Sequence, residues 1–321
     1  MRYSWALAIL AAAGLSPTAS AQVVTGDAAV QNQWFTGSLE APSPALSTAG
    51  VLAVEPYAIY TTNTGAYDDS GGQHSAPNGT SRIESITALK YGITDRLSIH
   101  ALLPFSHVWN NQTSSNGMGD LPIEFEYRFN DENNKTGWPS VTAALGMTMP
   151  TGDYDRLHKS LDGLGSGAYT AKEGLLFQSL FDTWGHHPMR LRLYGAAFEP
   201  IAKVSVHDLS VYGTDQGFHG QATPGFAAEI GLGAGYGLDQ RWVLALDLVQ
   251  NYSNGFRLSG TDMAGNLVST HATSSSRFAV APAVEYNWSD NVGIIVGVEF
   301  SAAGRNTSSY IAPQIALSTS F

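Results

Sequence analysis

The chain of 321 residues contains no cysteine, which is typical of a protein exported through an oxidising compartment, although a cytosolic enzyme can also lack thiols. After the N-terminus, no stretch approaches the ~18 uninterrupted apolar residues of a membrane helix, which excludes a bundle of such helices. Charged residues make up only 13% of the chain, against ~25% in soluble domains. Lysine and arginine form no run, and the net charge is -11, which argues against a nucleic-acid partner.

The first 21 residues have the three parts of a cleavable secretory signal peptide. Arg2 supplies the positive charge, residues 5–15 form a short apolar segment, and Ala19-Ser20-Ala21 is a small-x-small cleavage site. The apolar segment is too short for a membrane anchor. We therefore expect export and a mature chain that starts at Gln22, with no lipid-bearing cysteine.

Alternation of apolar and polar residues with a period of two dominates the chain after residue 50. Between residues 121 and 129 every odd position is apolar, whereas Glu124, Glu126 and Arg128 occupy even positions. A helix would mix these two sets, and a strand separates them. The same pattern recurs in residues 97–105, 141–149, 226–238, 242–248, 278–288 and 292–300.

The alternation predicts about twelve strands, each close to the length of about 9–11 residues that a tilted membrane strand requires. They lie near residues 51–61, 80–91, 97–109, 119–129, 140–150, 171–183, 189–202, 223–237, 241–252, 277–288, 292–302 and 309–321. Short connections, for example near 92–96, 184–188 and 289–291, alternate with long polar ones near 62–79, 151–170, 203–222 and 253–276. This asymmetry is typical of bacterial outer-membrane barrels.

A soluble β-sandwich is the alternative fold, but its strands average about 5–6 residues. Here the strands are long, and Tyr91, Trp109, Trp242, Tyr286 and Trp288 sit near strand ends, where interfacial girdles belong. In hydrocarbon an unpaired backbone group costs several kcal/mol, so an open sheet is excluded. We therefore predict an all-β fold: a transmembrane, closed, antiparallel, up-and-down β-barrel over residues 51–321. Residues 22–50 are read as an irregular periplasmic or lumen-plugging segment.

Three stretches resemble the strand–turn–strand phrases of the outer-membrane porin family associated with phenol meta-pathway degradation clusters. They are residues 89–97, 119–129 and 146–153. The resemblance implies an outer-membrane barrel with a role in uptake of small aromatic or hydrophobic compounds, and it implies no catalytic residues. Phe321, with Leu317 and Ile315 at alternate positions, resembles the C-terminal assembly signal of such barrels, although Thr319 departs from it.

Strand parity predicts which charged residues face the lumen, and the set carries more acidic than basic groups. The lumen-lining candidates are Glu55, Arg82, Glu84, Lys90, Glu124, Glu126, Arg128, Arg190, Arg192, Glu229, Asp247, Glu285 and Glu299. One interpretation is a polar conduit that favours cations or neutral polar solutes. The other is a salt-bridged interior that holds a narrow barrel rigid, because about twelve strands enclose a space that side chains can fill.

The remaining polar residues give no catalytic or metal motif. The nine histidines show no metal-ligand spacing, and His100 and His207 are candidates only if the barrel were a lipid-acting enzyme. The acidic loop pairs Asp68-Asp69 and Asp153/Asp155 could bind cations but are read as solvated charges. The sequence therefore predicts a non-enzyme without cofactor or metal.

Three functions remain open on the sequence alone. The first is an outer-membrane channel or facilitator for passive uptake of small molecules. The second is a non-transporting structural or surface-interaction barrel, and the third is a lipid-acting enzyme. The expected partners are outer-membrane lipid, lipopolysaccharide of a Gram-negative cell, the barrel-assembly machinery and a solute of unknown identity.

Overall fold

The computed structural model describes residues 33–75, 79–133, 136–183 and 187–320. The predicted signal peptide at 1–21, residues 22–32, the centre of the turn near 184–188 and Phe321 lie outside the described residues. In the described part of the chain the only helix is a single 3-10 turn, Ser160–Asp162. None of the described residues forms a helix of the length and apolar character needed to cross a membrane.

Twelve long strands form one sheet and are named β1 to β12 in chain order. They are β1 (Leu52–Tyr67), β2 (Ser81–Thr94), β3 (Leu97–Trp109), β4 (Leu121–Asn130), β5 (Ser140–Met149), β6 (Thr170–Asp182), β7 (Pro188–Pro200), β8 (Ala227–Gly237), β9 (Trp242–Ser253), β10 (Ser275–Asn287), β11 (Val292–Arg305) and β12 (Thr307–Ser320). Each strand pairs antiparallel with the next one along the chain. The twelve predicted strands are confirmed, with ends shifted by a few residues.

The first and last strands close the sheet into a barrel. β1 pairs antiparallel with β12 from Ala53 opposite Ser320 to Tyr67 opposite Thr307. Two short strands extend the wall: Gln73–Ser75 pairs with the end of β1, and Ser114–Met118 pairs with the end of β3. The predicted closed antiparallel barrel is confirmed, and closure satisfies the backbone groups that an open edge would leave unpaired.

The two faces of the barrel wall differ as the alternation predicts. On β4, Phe125 and Tyr127 are exposed on the outer surface, whereas Glu124 and Glu126 between them are buried. Aromatic side chains gather at the short-turn end of the outer surface, where the ring centroids of Trp242 and Tyr286 lie 4.7 Å apart. The exterior is therefore apolar along its length and aromatic near its rim, which suits a lipid-facing wall.

The long loops at the other end fold into a second sheet, named the cap. Its strands are Val204–His207, His219–Pro224, Phe256–Thr261 and Leu267–His271, paired antiparallel in this order. Val206, Phe218 and Leu258 form a buried apolar cluster beneath it, with Tyr154 from the loop after β5. The sequence does not predict the cap, because its strands lie in polar loops and each is only four to six residues long.

Candidate functional site: the lumen and the N-terminal strap

The charged residues predicted to line the lumen point into the barrel interior. The buried ones are Glu55, Lys90, Glu124, Glu126, Arg190, Arg192, Glu229, Asp247 and Glu285. The half-buried ones are Arg82, Glu84, Arg128 and Glu299. Their outward-pointing neighbours on the same strands are large apolar side chains such as Phe125, Leu193 and Phe300. What these charges do in the barrel depends on their partners.

One group of these charged side chains, on β2, β3, β4 and β6, forms a cluster of ion pairs. The Lys90 ammonium lies 2.6 Å from Glu126, and Lys172 pairs with Glu124. The ring of His100 lies between the two carboxylates, with Nδ1 3.0 Å from Glu124 and 3.7 Å from Glu126. Two carboxylates and two ammonium groups thus neutralise one another away from bulk water, which is the condition for burying charge.

The same group contains three side chains, one histidine and two glutamates, that could hold a metal ion. One donor atom each from His100, Glu124 and Glu126 lies within 4.8 Å of the others. However, Lys90 and Lys172 already supply the positive charge that a divalent cation would bring to these carboxylates. A cation would have to displace buried ammonium groups, so the geometry fits an ion-pair network better than a metal centre.

Residues 33–50 cross the lumen as an extended segment, which we name the strap. At one end the Trp34 N–H donates to the carbonyl of Gln240 in the turn between β8 and β9. At the other end the Gly50 N–H donates to the carbonyl of Gly92 at the end of β2. Both attachments lie at the short-turn rim, so the strap enters and leaves the barrel on the same side.

Charged side chains of β7, β9 and β10 hold the first half of the strap. The backbone N–H of Thr36 donates to Glu285 Oε2 at 2.7 Å, and that of Glu40 donates to Asp247 at 3.0 Å. Arg190, which lies 2.9 Å from Glu285, also donates to the carbonyl of Gly37. These charged groups thus satisfy backbone groups within residues 36–40 of the strap, which are not paired with a strand.

The second half of the strap makes similar contacts on the opposite wall. Thr142 on β5 donates to the carbonyl of Pro44 at 2.7 Å, and Lys90 donates to the carbonyl of Ala45 at 3.3 Å. The Ser47 hydroxyl donates to the carbonyl of Lys90 at 3.1 Å. The strap therefore connects walls on both sides of the lumen by hydrogen bonds.

Apolar contacts add to these hydrogen bonds near the middle of the strap. Leu39 is 1% exposed and packs among Tyr57, Leu102 and Ile295, with alanines of β2, β9, β10 and β12 completing the surface. Gly233 on β8 admits the strap closely, since a Cβ there would lie 2.7 Å from the Cβ of Ala41. One side of the lumen is thus apolar and lined by small residues.

Further from the short-turn rim, tyrosine hydroxyls donate hydrogen bonds to two more carboxylates. Tyr194 donates to Glu229 at 2.8 Å, and Tyr310 donates to Glu299 at 2.6 Å. Glu40 of the strap interacts electrostatically with Glu299 and is bonded by Gln314 at 2.7 Å. This part of the lumen carries an acidic excess.

One further acidic side chain reaches the lumen from the turn between β4 and β5. Gln178 of β6 donates to Glu132 at 3.3 Å. Burial raises the pKa of Glu132, while the Gln178 hydrogen bond and the charges of Arg190 and Arg192 oppose that shift. Arg128 in the same region lies 3.2 Å from Asp131.

The lumen residues predicted from the sequence omit several contributors to this site, among them Lys172, Gln178 and His100. Lys172 and Gln178 lie on β6, where Leu175, Phe177 and Leu180 make both faces apolar and obscure the parity. On the sequence alone His100 is only a catalytic candidate, although its even position on β3 places it opposite Glu124. The alternation along β3 is strict enough to add His100 to the predicted lumen residues, whereas β6 has no clear alternation of apolar and polar residues.

Comparisons with known proteins support the fold and the resemblance. Residues 58–185 match the family model described as "Putative MetA-pathway of phenol degradation", and this range contains all three stretches that carry the resemblance. The search of curated proteins finds no match.

Among solved structures, the COG4313 outer membrane channel from Pseudomonas putida F1 is similar to this chain, with a TM-score of 0.65 and 17% identity. The alignment covers 87% of this chain and 98% of that one. The transport unit of the autotransporter AIDA-I from Escherichia coli aligns with a TM-score of 0.48 and 12% identity, over 84% of this chain and 90% of that one. The resemblance inferred from the sequence is thus confirmed: residues 58–185 match the phenol-degradation family, and the barrel has the fold of an outer-membrane channel.

Proposed function

We propose that the protein is an outer-membrane channel for passive uptake of small molecules, aromatic or hydrophobic compounds among them. Its exposed apolar wall and aromatic rim suit the outer membrane of a Gram-negative cell, with phospholipid and lipopolysaccharide as surroundings. Export by the signal peptide at residues 1–21 and recognition of Phe321 by the barrel-assembly machinery belong to the same proposal. The charged residues of the lumen are assigned to binding the strap and to lining the path.

The observation that carries the proposal is the strap. A barrel built only for rigidity could fill its lumen with side chains, but here a separate segment crosses it and is paired with the sheet through a single bridge, Ala49 with Gly92, at its end. Hydrogen bonds and the Leu39 contact hold it, so it can be displaced at a finite cost and without opening the barrel wall. We infer that the strap is a plug and that its displacement opens the path.

Two features of the lumen support the proposed solutes. The acidic excess around Glu229 and Glu299 favours cations or neutral polar molecules over anions. The small-residue apolar surface under Leu39 could accommodate an apolar molecule once the strap has moved. The similar solved structure is described as an outer membrane channel, and the matched family is described by phenol degradation.

Recordings from planar bilayers and swelling of liposomes test the proposal. Purified mature protein is compared with a variant that lacks residues 33–47, with detergent-resistant folding verified in both. We expect the deletion to raise conductance and the swelling rate with neutral solutes. Absence of conductance and of solute flux in both proteins would exclude a channel.

A non-transporting structural barrel is the second candidate, and the density of buried ion pairs favours it. The Lys90–Glu126 and Arg190–Glu285 pairs are both inside the wall and well formed. If the deletion variant folds but stays closed, these pairs would be the closure itself, and the structural role would replace the channel.

No enzymatic activity is proposed. His100 is 2% exposed inside the barrel and pairs with Glu124, so it cannot reach lipid at the outer wall. His207 belongs to the cap, where Asp155 binds it, and not to a lipid-facing strand. Assays on phospholipid and lipopolysaccharide would show no turnover under this proposal.

A further inference from the structure

Two histidines of the cap face each other across neighbouring strands. His207 ends the strand Val204–His207, and His219 begins His219–Pro224, so the two are directly opposite in the antiparallel register. Opposite residues on antiparallel strands project to the same side of a sheet. Their ring centroids are 5.5 Å apart and their planes differ by 75°. The neighbouring Val206 is fully buried, so this pair lies on the face of the cap away from its apolar cluster.

The separation of the rings is that of two imidazoles sharing one ion. With each nitrogen about 2.1 Å from a tetrahedral metal and each ring centre ~1.2 Å behind it, the centroids lie about 5.4 Å apart. His219 is exposed and the His207 side chain is 32% exposed, so an ion can reach both.

Asp155 fixes which nitrogen of His207 is available. One oxygen of Asp155 accepts the backbone N–H of His207 at 3.1 Å and lies 3.2 Å from its ring Nδ1. An ionised carboxylate can only accept hydrogen bonds, so the ring nitrogen that faces Asp155 must be the donor. The neutral imidazole of His207 therefore carries its proton on Nδ1. Nε2 is then unprotonated, and a carboxylate behind a histidine is the usual support of a metal ligand.

We propose that His207 and His219 form a binding site for a divalent transition metal, with Asp155 as the positioning residue. Imidazole donors suit Cu²⁺, Ni²⁺ and Zn²⁺, and the order of affinities places Cu²⁺ first. Bound metal would join the two strands that flank the 208–218 loop. Through Asp155 it would also tie them to the loop after β5. The site lies outside the lumen and does not depend on transport.

Calorimetric titration of Cu²⁺ and Zn²⁺ into the mature protein tests this site. The protein is kept in detergent and carries no histidine tag. We expect one Cu²⁺ per chain bound through the pair, with His207→Asn and His219→Asn each weakening it at least about tenfold. Asp155→Asn should weaken it about 10–100-fold, as loss of such a support does elsewhere. His158→Asn, which removes an exposed histidine from the same loop as Asp155, is the matched control and should bind as the wild type does.

The electron paramagnetic resonance of bound Cu²⁺ gives a second readout. Coupling to two nitrogens is expected in the wild type and in His158→Asn, and one nitrogen should be lost in His219→Asn. Unchanged Cu²⁺ affinity in both His207→Asn and His219→Asn would overturn the proposal. So would absence of Cu²⁺ binding in the wild type, or an equal loss in His158→Asn.

Discussion

Removing the side chain of Leu39 should release the strap while leaving every charge of the lumen in place. Leu39 is 1% exposed and belongs to the buried apolar cluster that includes Tyr57, Leu102 and Ile295, so truncation to alanine leaves a cavity between strap and wall. Leucine-to-alanine changes at such sites cost about 2–5 kcal/mol. If only the plugged state makes this contact, the ratio of released to plugged channels rises by a factor of ~30 to several thousand.

Single-channel recording measures this ratio directly as open probability. A channel that is open ~0.1% of the time would be open about 3% of the time at the lower limit of the estimate. Leu244→Ala is the matched control, because Leu244 lies on the outer face of β9 and is 47% exposed. Wild-type gating in a folded Leu39→Ala variant, or an equal rise in Leu244→Ala, would refute the reasoning.

Three further predictions concern the wall and its charges. Lys90→Met should destabilise the barrel by about 3–5 kcal/mol, because Glu126 then keeps a buried charge without this partner. Adding Glu126→Leu should restore most of the lost stability. Thermal unfolding in detergent measures both effects. Leu145→Arg places a charge on the outer surface of β5 and should cost about 2–4 kcal/mol in lipid-reconstituted unfolding; an effect near zero would mean that this face does not meet lipid. Since burial raises the folded-state pKa of Glu132 above its unfolded value, the turn between β4 and β5 should lose stability as pH rises from about 4.5 towards that raised pKa. Hydrogen exchange of the turn should show this loss, and Glu132→Gln should abolish it.

The barrel could be predicted from the sequence because lipid outside and a polar lumen inside impose opposite chemistry on alternate residues. Residues 121–129 show this most clearly, and both the strand and the direction of Glu124 and Glu126 follow from parity alone. On β6 the rule loses force, since Leu175 faces outward while Leu176 and Leu180 face inward. Lys172 and Gln178 were missed there for that reason.

For the strap, the sequence predicts only an irregular segment over residues 22–50 that is either periplasmic or lumen-plugging; its contacts, and the histidine pair, could not be predicted, for a different physical reason. The strap is bound largely through its own backbone, as at Thr36 and Glu40. Almost every residue type has the same backbone N–H donor, so such hydrogen bonds cannot be read from the order of the side chains. The distance between His207 and His219 depends on the register of two short strands in a loop. Only the folded cap reveals that register.

Locking the strap in the lumen tests the central claim most directly. The chain has no cysteine, and a Cβ at Gly293 of β11 would lie 3.1 Å from the Cβ of Thr36, so a shift of a few tenths of an ångström brings the pair to the roughly 3.5–4.5 Å of a disulfide in the double variant Thr36→Cys/Gly293→Cys. Single-channel recordings are made on this variant before and after addition of a reducing agent. The account predicts a closed channel when oxidised and opening events after reduction. Equal conductance in both states would contradict it.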